Sequence, residues 1–299
     1  MADVDLPCRA TALGCGSAAY SRNTMYSLIA TDLDGTLLMP GDTLGNYTRT
    51  VMRHLYDAGL HVVLATGRQQ ADVETLLDDS SPPLHLITSN GAKISSACGG
   101  LMRCEALPDD VVQGLIEEAR HSPDLIINLY GPCGWLIGCE HDASDFNRNP
   151  HFQPTVIRPD TWPTENVEKV FFFQKEKDRQ ALLALQKRLE RKFGNRISTV
   201  FSFTWCLEVM ASDVCKGHAL KQLAAFLDVP IGACIAFGDG MNDIGMLSVA
   251  GKAVIMGTAH QDVTQALPDA QIIGACCDEA VARYLSKHVL LPIQSVTQS

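Results

Sequence analysis

The chain has 299 residues, 46% of them hydrophobic and 19% charged, with a formal net charge of −10. That size allows two domains and a substantial core, and the composition is that of an ordinary soluble globular protein. The acidic balance argues against a nucleic-acid-binding face, which needs a basic stripe, and no apolar run approaches the ~18 residues of a membrane span. Eleven cysteines occur without a CxxC pair and without a Cys/His spacing suited to zinc. They read as reduced thiols of a cytoplasmic protein.

Residues 1–24 are rich in Ala, Ser, Cys and Gly and carry no helical or strand period, which predicts a disordered N-terminal extension. Neither a secretory signal nor a mitochondrial presequence is matched there, and Met25 is an alternative start. The apolar run Leu28-Ile29-Ala30 then leads into Asp32-Leu33-Asp34-Gly35-Thr36. Taken alone, Asp-Gly between apolar runs is a hairpin signal. Two carboxylates at i and i+2 at a strand end can also divide a reaction, one attacking and the other moving protons. The buried-strand run His61 to Ala65 delivers Thr66-Gly67-Arg68, where a hydroxyl and a backbone N–H can bind a phosphate oxygen. A third core strand is expected from Leu84 to Thr88.

The stretch between Gly67 and Lys216 is too long for a loop and must hold structure of its own. A helix from Pro108 to His121, capped by Asp109 or Asp110, precedes strands Leu125 to Tyr130 and Trp135 to Gly138. Strand Val167 to Gln174 and amphipathic helix Lys177 to Phe193 follow, then strands Ile197 to Phe203 and Trp205 to Met210. A helix-strand-strand pattern repeated twice implies an antiparallel sheet with helices on one face. Phe171-Phe172-Phe173 reads as strand interior and core. The polar loop from His141 through Arg148 could close over a ligand.

Lys216-Gly217 opens the helical pattern Ala219, Leu220, Leu223, Ala224, Leu227, so its ammonium adds a point charge where a helix start already favours anions. Ala233 to Phe237 is another buried strand, and it leads into Gly238-Asp239-Gly240-Met241-Asn242-Asp243. Asp239 and Asp243 are hard oxygen donors which, with Asp32, suit a partly hydrated Mg²⁺ shared with a substrate phosphate. Strand and helix alternate through Lys287. The fold class is therefore α/β, a doubly wound, Rossmann-like parallel sheet with its site at the carboxyl ends of the strands and an inserted α/β cap domain.

These four ordered segments resemble the haloacid dehalogenase superfamily. Thr88-Ser89-Asn90-Gly91-Ala92, the GDGMND form of the last segment, and Val254-Ile255-Met256-Gly257-Thr258-Ala259 are similar to its Cof-like phosphatases, whose cap lies between the second and third segments. The resemblance covers residues 25 to about 288. It implies Asp32 as nucleophile, Asp34 as general acid and base, and Thr66, Gly67 and Lys216 as phosphate or charge stabilisers. It also implies Mg²⁺ on Asp32, Asp239, Asp243 and the backbone carbonyl of Asp34, with Asn242 contacting phosphate or orienting its loop. Arg68 and Asn90 either bind substrate or fix strand ends. Cys215 stands where a small polar residue is expected. Because carbon-halogen-cleaving members lack the second carboxylate, Asp34 points away from dehalogenation.

The expected division is core at 25–92 and 213–290, cap at 93–212 and tail at 291–299. The expected function is Mg²⁺-dependent hydrolysis of a small phosphorylated metabolite, such as a sugar or cofactor phosphate, through an aspartyl-phosphate. A phosphomutase of similar fold is the rival enzyme, and a non-catalytic phospho-ligand sensor is the rival of another class. Specificity is expected from the cap.

Overall fold

The computed structural model describes residues 25–122, 124–138, 149–158 and 161–293. The predicted extension 1–24 and the loop from His141 through Arg148 lie outside them. In chain order the strands are Leu28–Thr31 (β1), His61–Ala65 (β2), His85–Thr88 (β3), Lys93–Ser95 (β4), Met102–Cys104 (β5), Leu125–Gly131 (β6) and Gly134–Ile137 (β7). Thr155–Val156 (β8), Lys169–Gln174 (β9), Ile197–Phe203 (β10), Cys206–Ala211 (β11), Cys234–Gly238 (β12), Lys252–Met256 (β13) and Gln271–Ile273 (β14) complete them. The helices are Asn46–Asp57 (α1), Gln70–Leu76 (α2), Asp109–Arg120 (α3), Arg179–Phe193 (α4), Lys216–Phe226 (α5), Ile244–Val249 (α6), Gln261–Ala266 (α7) and Ala280–Leu285 (α8).

The first sheet runs β14-β13-β12-β1-β2-β3-β4-β5. Its first six strands are parallel, and β4 and β5 extend it antiparallel. Because side chains alternate along a strand, the continuous apolar runs serve two faces. Ile29, Ile235 and Phe237 pack with Val51, Leu55 and Leu285 from α1 and α8. Leu28, Ala30 and Ala236 pack with Leu220, Leu223 and Met246 from α5 and α6. The sheet is thus covered on both sides, which is why its central strands are mostly apolar on both faces.

The second sheet runs β10-β11-β9-β6-β7-β8 and is antiparallel except at β7–β8. Helices α3 and α4 cover one face, through Val112, Leu115, Leu182, Leu185 and Leu189 against Ile127, Leu129, Val170 and Phe172. Asp178 caps α4 by accepting from the N–H groups of Gln180 and Ala181. Neither Asp109 nor Asp110 caps α3: the helix begins one residue earlier than that role requires, with Pro108 at the cap and both acids in the first turn. There they still oppose the positive end of the helix dipole.

Two boundaries differ from those read in the sequence. β4 and β5 lie beyond residue 92, yet β4 pairs with β3 and β5 with β4 in the first sheet, so the chain crosses to the second sheet only after Cys104. The turn Ser89–Gly91, with Ser89 and Asn90 at positive φ, reverses the chain and permits that pairing. At the other end, α8 continues as a wider helical turn over Ser286–Leu290 and on through 293, so the start of the expected tail is helical. Val289 and Leu290 are buried against the core and hold it there. No helix among the described residues is long and apolar enough to cross a membrane.

Candidate active site

Asp32, Thr66, Asn90 and Asp239 each follow a parallel strand, β1, β2, β3 and β12 respectively, so the strand ends bring distant segments to one edge. Lys216 is the first residue of α5, capped by Cys215, whose sulfur accepts from the His218 N–H at 3.4 Å. A thiol therefore takes over the capping bond expected of a polar residue. His218 itself is exposed and bonds the Asp213 carbonyl, away from this cluster.

Lys216 is fully buried and donates to Asp32 Oδ1 at 2.6 Å and to Asp243 Oδ1 at 2.7 Å. Asp243 Oδ2 accepts the backbone N–H groups of Asp239 and Gly240, at 3.0 and 2.9 Å. Asp239 Oδ1 accepts from the Thr36 hydroxyl at 2.9 Å, so Thr36 ties the first segment to the last instead of merely closing its own turn. Gly35, at φ +79°, permits that approach, because a Cβ there would stand 2.3 Å from Asp239 Oδ2.

One ammonium thus faces three carboxylates. Burial first, and the Asp243 charge second, hold the Asp32 carboxyl well above the usual range against the pull of Lys216. Burial and Asp243 likewise push Asp239 up to about 6. For Lys216, burial alone would lower the pKa, but Asp243 and Asp32 outweigh it and the net shift is upward. The cluster is short of positive charge. Asp32, Asp239 and Asp243 offer oxygens that all lie within 4.8 Å of one another. An all-oxygen set with excess negative charge fits a hard divalent cation. Asp243 also takes three protein donors, so it braces the site as well as offering an oxygen.

The Asp34 side chain lies outside that triad. Arg68 grips it through Nε to Oδ2 at 2.8 Å and Nη2 to Oδ1 at 2.5 Å, and also meets Asp42 at 3.1 Å and Asp72 at 3.4 Å. Burial opposes the charge of Arg68, while its bonds to Asp34 raise its pKa on balance. Arg68 is therefore committed to three carboxylates, two of which, Asp42 and Asp72, carried no signal in the sequence. Thr66 is fully buried and its Oγ1 accepts from Arg68 N–H at 3.1 Å, so Gly67 and Arg68 form the cavity wall at this segment. Asn242 donates to Asn90 Oδ1 at 3.1 Å.

A cavity of about 390 Å³ separates this edge from the uncovered face of the second sheet. Tyr130, Trp135, Phe171 and Phe173 line its far wall, while Phe172 points the other way into the cap core. The Phe-Phe-Phe run is therefore core at one residue and cavity wall at two, as the alternation of a strand dictates. Lys169 and Glu208, singled out by no motif, sit in the same wall with their charges 2.6 Å apart. An isolated Lys or Glu in an apolar strand was the only available signal. Further polar contacts join the sheets, including Gln69 Nε2 to the Gly131 carbonyl and Asn149 Nδ2 to Asp72.

A family model for haloacid dehalogenase-like hydrolases matches residues 29–285. A Yersinia pestis protein named HMP-PP phosphatase is 36% identical over 268 residues, covering 87% of this chain and 94% of its own. The structure of a haloacid dehalogenase-like hydrolase from B. subtilis superposes with a TM-score of 0.77 at 24% identity, covering 88% and 99% of the two chains. That of a subclass IIB sugar phosphatase superposes at 0.72 with 19% identity, covering 87% and 98%. The match along nearly the whole fold, together with the acidic edge just described, establishes that the chain belongs to the haloacid dehalogenase-like hydrolases, as a phosphatase of their Cof-like group.

Proposed function

We propose that the chain hydrolyses small phosphorylated metabolites with Mg²⁺ through an aspartyl-phosphate on Asp32. The observation that carries this reading is the placement of Asp32 at the end of the central strand β1, with Oδ1 on Lys216 and no donor to Oδ2 among the described residues. The Asp32 oxygen bonds to phosphorus and the bond to the leaving alkoxide breaks, with Asp34 supplying the proton that makes it an alcohol. Water then attacks the same phosphorus, Asp34 takes its proton, and the acyl–phosphate bond opens to return Asp32 and inorganic phosphate. Arg68 holds both oxygens of Asp34 and so orients it throughout. Gly67 N–H, the Thr66 hydroxyl and Lys216 supply donors and charge for the equatorial oxygens. A bound Mg²⁺, held by Asp32, Asp239, Asp243 and the Asp34 carbonyl, would lower the repulsion between the phosphate dianion and its carboxylate nucleophile.

The ring-lined far wall suits a small leaving group with a flat or apolar face, whether a heteroaromatic ring or a sugar. The test is a phosphate-release panel with Mg²⁺ that includes HMP-PP and sugar phosphates, followed by acid quenching with radiolabelled substrate. Label on Asp32, and its loss with turnover in Asp32→Asn, is expected. A folded Asp32→Asn protein that still releases phosphate at the native rate removes the residue from this role.

A further inference from the structure

Lys169 stands on the cap strand β9 and is almost wholly buried, with four partners. Its ammonium meets Glu208 Oε1 at 2.6 Å and lies 4.7 Å and 4.8 Å from the ring centres of Tyr130 and Phe171. The fourth partner belongs to the other sheet: Lys169 donates to the Gly67 carbonyl at 2.7 Å. Glu208, on β11, uses its second oxygen to accept from Asn90, and Asn90 in turn accepts from Asn242. A continuous polar chain therefore runs from the cap floor to the backbone at Gly67 and to the loop that carries Asp239 and Asp243.

Burying an ion pair is poor value for stability alone, since apolar residues of similar volume often serve as well or better. This pair is also not a free-standing cap contact, because both charges end on groups beside the phosphate site. We propose that Lys169 and Glu208 are positioning residues: they hold the Gly67 peptide and the Asn90–Asn242 pair in register with the reacting phosphoryl group when the cap lies over the core. The proposal rests on the phosphatase reading above. Neither residue exchanges protons or bonds with substrate in this role. Their effect is to fix donors whose misplacement by about an ångström can cost roughly 100-fold in rate.

The experiment uses the full chain with Mg²⁺ and two phosphomonoesters of unlike leaving group, and compares wild type with Glu208→Gln and with the double variant Lys169→Met/Glu208→Gln. The single change strands a buried ammonium, and a lowered Tm is expected. The double change removes both charges, so Tm should recover while kcat stays roughly 10- to 100-fold below wild type for both substrates, with KM moved much less. Affinity for orthovanadate, a mimic of the five-coordinate phosphoryl group, should fall by a similar factor while that for inorganic phosphate changes little.

Recovery of kcat together with Tm in the double variant overturns the proposal, as does a changed preference between the two substrates, which would make the pair a substrate contact. Should the double variant not fold, native kcat and vanadate affinity in Glu208→Gln overturn it equally. A wild-type chain that releases phosphate from no substrate counts against the phosphatase reading instead, whereas active wild type with an equally active double variant defeats only the positioning role.

Discussion

The two walls of the cavity are built on opposite principles. The core wall crowds Asp32, Asp239 and Asp243 around Lys216, and Asp243 Oδ1 and Oδ2, Asp32 Oδ1 and Asp239 Oδ1 each accept from a named donor. The cap wall is mostly rings, with the Lys169–Glu208 pair and Arg179 as its charged members. Tyr130 meets Phe171 edge-on at 4.8 Å, and Phe173 meets Trp205 at 5.3 Å. Charge handling, which every phosphate ester needs, is concentrated on one sheet, and shape, which differs between leaving groups, is presented by the other. On the proposed reading, a phosphoryl site can stay constant while its selectivity is altered by substitutions in the facing wall, away from the acidic triad.

The separation can be broken most forcefully at Asp34. Since its carboxylate is held by Arg68 and stands outside the oxygen triad, Asp34→Asn should lower turnover roughly 10²- to 10⁴-fold and leave the Mg²⁺ titration of the protein where it was. A shifted titration, read by isothermal calorimetry, would mean that proton transfer and metal binding are not divided as described.

Asp239→Asn addresses the other half of the core wall. In the metal-free fold this carboxyl is raised to about 6, against an unfolded value near ~4. The folded chain then keeps a proton that the unfolded chain gives up, so this contribution to stability is full below about pH 4 and disappears as the pH rises through about 6. With chelator present, the Tm of the variant should fall less between those pH values than that of wild type. At neutral pH the variant should require more Mg²⁺ for the same rate. Equal pH slopes in a scanning-fluorimetry series would remove Asp239 as the source.

The gentlest change sharpens the comparison from the cap side. Trp205 stacks on Phe203 at 5.2 Å near the mouth of the cavity. Trp205→Ala should move the ratio of kcat/KM between a ring-bearing and an acyclic phosphate by about tenfold, without moving the Mg²⁺ dependence. An unchanged ratio would leave the rings as packing only.

The core wall was legible in the sequence because its chemistry demands particular residues at particular strand ends. Asp32, Lys216, Asp239 and Asp243 converge as their spacing and flanking runs imply. Arg68 was marked as binding substrate or fixing a strand end, but its partners were not, since Asp42 and Asp72 lie in segments whose pattern announces no site. The cap wall was read as core at Phe171 and Phe173 because three consecutive aromatic residues hide which parity faces outward. Only the register of β9 between β6 and β11 decides it. Lys169 reaches Gly67 across 102 positions of chain, and no local pattern encodes a bond between two sheets.

The position of β1 has a consequence for how the molecule is made. Its two neighbours are β2, which begins at His61, and β12, whose first pairing is Leu28 with Cys234. During synthesis the ribosome must therefore add about 200 residues after β1 before its second partner exists, which takes roughly 10–40 s. For that interval the nascent chain carries an apolar strand with one unpaired edge, the kind of surface that recruits chaperones or other strands. The inserted domain, built from contacts within its own span, can fold in that time, so the emerging protein would hold a finished cap on an unfinished core.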